Sequence, residues 1–137
     1  MMKSAIRLIA CIFSTLTLLA PTLSFAQKAA PTATQFYMQY RDAWTNAKSI
    51  DALLPYLSKD GRTEIEATPA DKRQVMFEMM KAMGTVNDVK VVKETKQDGG
   101  YLLELTGMGP DKSAMTGAAQ IIVEGGAMKL KTESWKS

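Results

Sequence analysis

The sequence predicts an α+β domain in which N-terminal helices pack on a curved, four-stranded antiparallel sheet. Three observations lead there. Apolar residues recur at helical spacing as far as Met83, and the period changes to alternation from Val86 onward. The breaks in the second half carry turn residues, Asp98-Gly99-Gly100, Gly107 to Asp111 and Gly125-Gly126, and two of them are short enough to be hairpins.

The first segment stands apart from the domain. Lys3 and Arg7 form a positive region, Leu8 to Ala20 an apolar one, and Ser24-Phe25-Ala26 a small-x-small cleavage site, the three parts of a secretory signal peptide. The apolar run is shorter than the ~20 residues of a membrane-spanning helix, and Pro21 ends it. Leu8-Ile9-Ala10-Cys11 has the form of a lipoprotein box, but Arg7 abuts it and leaves almost no apolar region before the cysteine. The expectation is cleavage after Ala26, giving a single domain, residues 27–137, in the periplasm or secreted, with no membrane span.

Cleavage removes Lys3, Arg7 and Cys11, so the formal charge of +3 falls by two and the pI near 9.0 belongs to the precursor. No case for a nucleic-acid or anionic-lipid partner follows. No thiol or disulfide remains, and the core alone must hold the fold.

After a small-residue lead, Gln27 to Pro31, Thr32 with Gln35 has the form of a capping box. Phe36, Tyr40, Ala43 and Ala47 make the apolar stripe of the helix it opens, widened by Tyr37 and Trp44. Ser49 can cap a short second helix carrying Ile50, Leu53, Leu54 and Leu57, which Pro55 should distort. Asp60-Gly61 punctuates the chain before a helical stretch from Arg62 to Ala67. Thr68-Pro69-Ala70-Asp71 reads as N-cap, N1 proline and first-turn acid of a helix running to about Met83, with Gly84 as its C-terminal cap. Four strands follow: Val86 to Lys96, Tyr101 to Thr106, Ala114 to Glu124 and Met128 to Trp135.

The stretches FYMQYRDAWTNAKSIDALLPYLS (36–58) and IIVEGGAMKLKTESW (121–135) resemble the nuclear-transport-factor-2-like superfamily, which includes ketosteroid-isomerase-like and polyketide-cyclase-like proteins. In bacterial members the last hairpin commonly reads as strand, acid, Gly pair, aromatic, Lys, Leu and a terminal Trp, and here Met128 stands at the aromatic position. The resemblance implies a cone, a bent sheet wrapped around the helices with a pocket between, and a possible homodimer through the exposed sheet face. It implies little about activity, because this fold hosts isomerases, dehydratases, binding domains and dimerisation modules alike.

Histidine is absent, which with the loss of Cys11 removes Ser-His-Asp, Cys-His and His-metal chemistry. A carboxylate base paired with a phenol remains conceivable. On the strand Tyr101 to Thr106, Glu104 shares a face with Leu102 and Thr106. Pointing inward it would join Tyr37, Tyr40 or Gln120 in a pocket; pointing outward, the simpler reading, it is a cross-strand partner for Lys93 or Lys129. Tyr37, Tyr40, Trp44 and Trp135 are candidates to line a pocket, Tyr37 and Trp44 equally as lining or core and Tyr40 rather as core. The basic residues of the helical half, Lys81 among them, read as a solvated face.

Met76, Met79, Met80 and Met83 fall at i, i+3, i+4 and i+7. Thioethers can bind Cu(I), but the simpler account is the apolar stripe of a helix packed on the sheet, and neither metal nor cofactor is expected. The reading is a non-catalytic periplasmic domain that binds a small apolar ligand or a protein partner. Its rivals are an isomerase or dehydratase using Glu104 with a tyrosine, and a periplasmic immunity or inhibitor protein.

Overall fold

The computed structural model describes residues 31–137. The expected signal peptide, Met1 to Ala26, and the lead as far as residue 30 lie outside the described residues. Helix α1 spans Ala33–Asn46, a 3₁₀ helix Ile50–Tyr56, α2 Lys59–Ala67 and α3 Ala70–Ala82; strands β1 Asn87–Gln97, β2 Gly100–Met108, β3 Ala114–Glu124 and β4 Ala127–Lys136 follow. The strands pair consecutively and antiparallel in one open sheet, β1-β2-β3-β4. The α+β class and its helices-first order are as the sequence predicts.

The capping box at α1 forms in full: Gln35 N donates to Thr32 Oγ1 at 3.1 Å and Thr32 N to Gln35 Oε1 at 2.9 Å. Thr34 N adds a bond to Glu94 Oε1 of β1, so a carboxylate from the sheet sits at the positive end of the helix. α1 then lays Ala33, Phe36 and Tyr37 on Leu103, Leu105, Ala119, Ile121 and Leu130, the main core, on one face of the sheet. Pro55 leaves the second helix in the tighter 3₁₀ form. Its end is pinned to edge strand β4, where Ser58 N donates to Leu130 O at 2.9 Å.

Four details depart from the sequence reading, the first being that Asp60 and Gly61 lie inside α2 and not ahead of it. Thr68 does not cap α3; it closes α2, its hydroxyl donating to Glu64 O, and Pro69 takes the N-cap position. Ser49 makes no side-chain cap bond. Gly107 belongs to β2 and not to the turn, because β2 runs on to Met108.

The largest departure is α3, which does not lay its methionines on the sheet. Arg73, Phe77 and Lys81, at i, i+4 and i+8, are the side chains it turns to the rest of the protein. Phe77 joins Trp44, Ile50 and Leu53 in a second, smaller core. Arg73 pairs with Asp51 at 2.8 Å, and Lys81 Nζ donates to Trp44 O while lying 4.4 Å from the centre of the Trp44 ring. Lys81 is therefore not part of a solvated face; burial, then the charges of Arg41 and Lys48, lower its pKa.

Candidate functional site

A strongly polar cluster under the helices is built by a β-bulge. Ile121 pairs with Leu130 but Gln120 with Thr132, so Lys131 is an extra residue in β4. The insertion reverses the alternation: Leu130 faces the core before it, and Glu133 and Trp135 face the core after it. From the other side α1 presents Tyr37 and Arg41, one turn apart.

These four residues form a closed hydrogen-bonded hub around Glu133. Tyr37 Oη donates to Glu133 Oε2 at 2.9 Å, and Arg41 Nη1 and Trp135 Nε1 donate to Glu133 Oε1 at 3.1 and 2.8 Å. Arg41 Nη2 donates to Val86 O at 2.7 Å, tying in the segment that leads into β1. Tyr37 is fully buried and Arg41 nearly so. Two glycines make room for the indole of Trp135: a Cβ on Gly117 would lie 2.6 Å from it, and one on Gly107 3.4 Å.

Burial, reinforced by the negative charge of Glu133 and only partly offset by Arg41, holds the Tyr37 and Tyr40 hydroxyls far above the usual tyrosine range. Phenols held so high are weak proton donors at neutral pH. The carboxylate they would work with is already occupied by three donors. The hub is a satisfied network that locks α1 to β4, not a poised acid-base pair.

Beside it lies a recess of about 150 Å³, bordered by Tyr40, Arg41, Trp44, Val86, Glu133 and Trp135. Sites for drug-sized molecules are ~300–1,000 Å³. An aromatic chain runs from α1 to the 3₁₀ helix: Phe36 and Tyr40 each pack 6.1 Å from Tyr56, and Tyr37 6.1 Å from Tyr40.

The structure brings together four of the six side chains singled out in the sequence. Tyr40, Trp44 and Trp135 border the recess and Tyr37 lies beneath it. Glu104 and Gln120 are on the opposite face, away from the tyrosines. Glu104 is exposed and pairs with Lys93 across the strands at 3.5 Å, as the simpler reading has it. Sequence reasoning missed Arg41 and Glu133. Arg41 is legible as a polar residue one turn beyond Tyr37 on the buried stripe; Glu133 carries no local signal, because the bulge decides where it points.

The outer face of the sheet carries a shallow groove of about 470 Å³ with Val92, Leu102 and Ala118 as its apolar floor and Thr106, Thr116 and Ser134 among its rim. Among the described residues, no three His, Cys, Asp or Glu side chains gather as a metal site, and no helix is long and apolar enough to cross a membrane. Comparison with protein-family models, curated proteins and solved structures gives no match.

Proposed function

We propose that this is an exported, non-catalytic domain of the nuclear-transport-factor-2-like cone type that binds a protein partner through the outer face of its sheet. The observation that carries the reading is the filled interior. Where a cone of that type would hold a substrate, this chain has Phe36, Tyr37, Tyr40 and Tyr56 in contact with one another and the Glu133 hub, and the recess beside the hub is only about 150 Å³. The outer groove differs: Val92, Leu102 and Ala118 supply apolar surface, with Glu104 across from Ala118 and the hydroxyls of Thr106, Thr116 and Ser134 beside them, a mixture of apolar and polar groups suited to covering by a protein partner. Export rests on the three-part leader, and the cone on the resemblance of residues 36–58 and 121–135.

The test is Leu102→Lys, which places a charge on the groove floor without touching the core. The variant should keep the wild-type far-UV spectrum and lose a partner that co-purifies with the wild-type protein from its own host. A homodimer through this face would appear instead as a doubled mass in sedimentation that the same variant halves. Retention of the partner by Leu102→Lys, or a stoichiometric small organic molecule seen by native mass spectrometry, would sink the proposal.

A further inference from the structure

Half of the eight methionines outside the leader lie on one face of α3 and its C-cap, and that face is largely exposed. Met83 is 80% exposed, Met79 61%, Met80 42% and Met76 36%. Methionine is ordinarily a gap-filler in cores, where its flexibility suits irregular spaces. Here α3 makes its main packing contacts through Arg73, Phe77 and Lys81; of the four methionines Met80 also borders the recess beside Trp44, while Met79 and Met83 face solvent. They surround a shallow depression of about 430 Å³ together with Val75.

The helix sets the geometry of these sulfurs. Met76 neighbours Met79 and Met80, and Met83 neighbours the same two, each pair three or four residues apart. Met76 and Met83 are separated by about 10.5 Å along the axis, with Met79 and Met80 flanking the midpoint. The three rotatable bonds of each side chain let the outer sulfurs lean toward that midpoint. Being on the solvent side, the face can close around a ligand without disturbing either core.

Neutral thioethers are soft donors that favour Cu(I) over Zn²⁺ and the hard divalent ions. Residues 31–137 hold neither His nor Cys, so thioethers are the soft donors there, and four of the eight are gathered on this face. We propose that three of the four thioethers of Met76, Met79, Met80 and Met83 coordinate one Cu(I) ion on the exposed face of α3. Besides the thioethers the depression has Val75, and Asp71 and Lys72 at its N-terminal end.

The purified protein is titrated anaerobically with Cu(I) against the chromophoric competitor bicinchoninate, and in parallel with Ag(I), a soft monovalent ion that needs no reductant. One equivalent should be withheld from the competitor. Ag(I) should move the methyl resonances of Met76, Met79, Met80 and Met83 and leave those of Met38, Met108, Met115 and Met128 in place. Replacing all four by Leu keeps the face apolar and should weaken binding by about 100-fold or more; the double variant Met79→Leu, Met83→Leu, at the two most exposed positions, leaves only two thioethers, should cost about tenfold and covers the case in which the quadruple variant misfolds. Equal metal affinity in the Leu variants overturns the site. So does metal-induced movement confined to the other methionines, or a face that binds vesicles or a peptide equally with Met or Leu while withholding no metal.

Discussion

Replacing Glu133 by Gln leaves the shape of the side chain almost unchanged and removes its charge, so it isolates what the hub contributes. In the wild type the Arg41 guanidinium is nearly buried, its side chain 10% exposed against 16% for Glu133, and its countercharge is 3.1 Å away. The carboxamide of the Glu133→Gln variant could still accept from Trp135 and Arg41 through its one oxygen, but it would face Tyr37 with an NH₂ group that donates. Arg41 would remain as a buried charge with no opposite partner. Removing one member of a buried pair costs about 3–5 kcal/mol, and the contact of both groups with the recess favours the lower end. A loss of about 3 kcal/mol corresponds to a fall in Tm of roughly 12–20 °C for a domain of this size. Urea unfolding followed by fluorescence reads it directly, because Trp135 is in the hub and Trp44 borders the same recess. The double variant Arg41→Met with Glu133→Gln removes both charges, and should cost at least about 2 kcal/mol less than the two single losses added together. A Glu133→Gln loss under about 1 kcal/mol, or strict additivity in the double variant, would show that the hub does not hold α1 to β4.

Three more outcomes follow from the packing. Tyr37 and Tyr40 keep their protons in the folded state at pH values where the unfolded chain, with tyrosines near 10, has lost them, so stability is full below about pH 10 and falls as pH rises beyond it. The slope is about 1.4 kcal/mol per pH unit for each tyrosine, and urea midpoints between pH 9 and 11 should fall more gently in the Tyr37→Phe, Tyr40→Phe double variant; equal slopes would contradict the burial argument. Gly117→Ala should lose about 1–3 kcal/mol and shift Trp135 fluorescence to the red, since its Cβ would meet the indole at 2.6 Å and Ser134 O at 2.7 Å, whereas Gly61→Ala in α2, with no neighbour nearer than 3.7 Å, should gain about 0.5–1 kcal/mol.

Much of the fold was legible because its signals are local. The capping box at Thr32, the Gly pairs at the hairpins and the change of period at Val86 each act within a few residues, and each element lies close to where those signals put it. The face of α3 was not legible for a physical reason. Its sequence offers a continuous apolar stripe, Met76 to Met83, and beside it a face with one aromatic residue between two cations. Periodicity selects the stripe. Burial goes to the other face because Phe77 meets Trp44 edge-on at 5.7 Å and both cations find partners there, Arg73 in Asp51 and Lys81 in the Trp44 ring and carbonyl. Partners supplied by residues 22 and 37 positions away cannot be read from the helix itself.

The hub was hidden by a different cause, which also explains why Glu133 was not among the carboxylates the sequence offered. Strict alternation from Met128 and Leu130 would send Thr132 and Ser134 to the core and leave Glu133 in solvent. Lys131, an ordinary strand residue, is inserted against β3, and every side chain beyond it changes face. β1 does the same at Val92, where the register steps from Val91 opposite Leu105 to Glu94 opposite Leu103, and Glu94 thereby reaches the α1 backbone at Thr34. Each insertion turns a carboxylate toward α1, one to its N-terminus and one to Tyr37 and Arg41 beyond its first turn. The polar contacts that fix α1 on this sheet are thus products of register, a property of strand pairs, while Glu104, on the regular strand β2, keeps the outward direction that its alternation assigns.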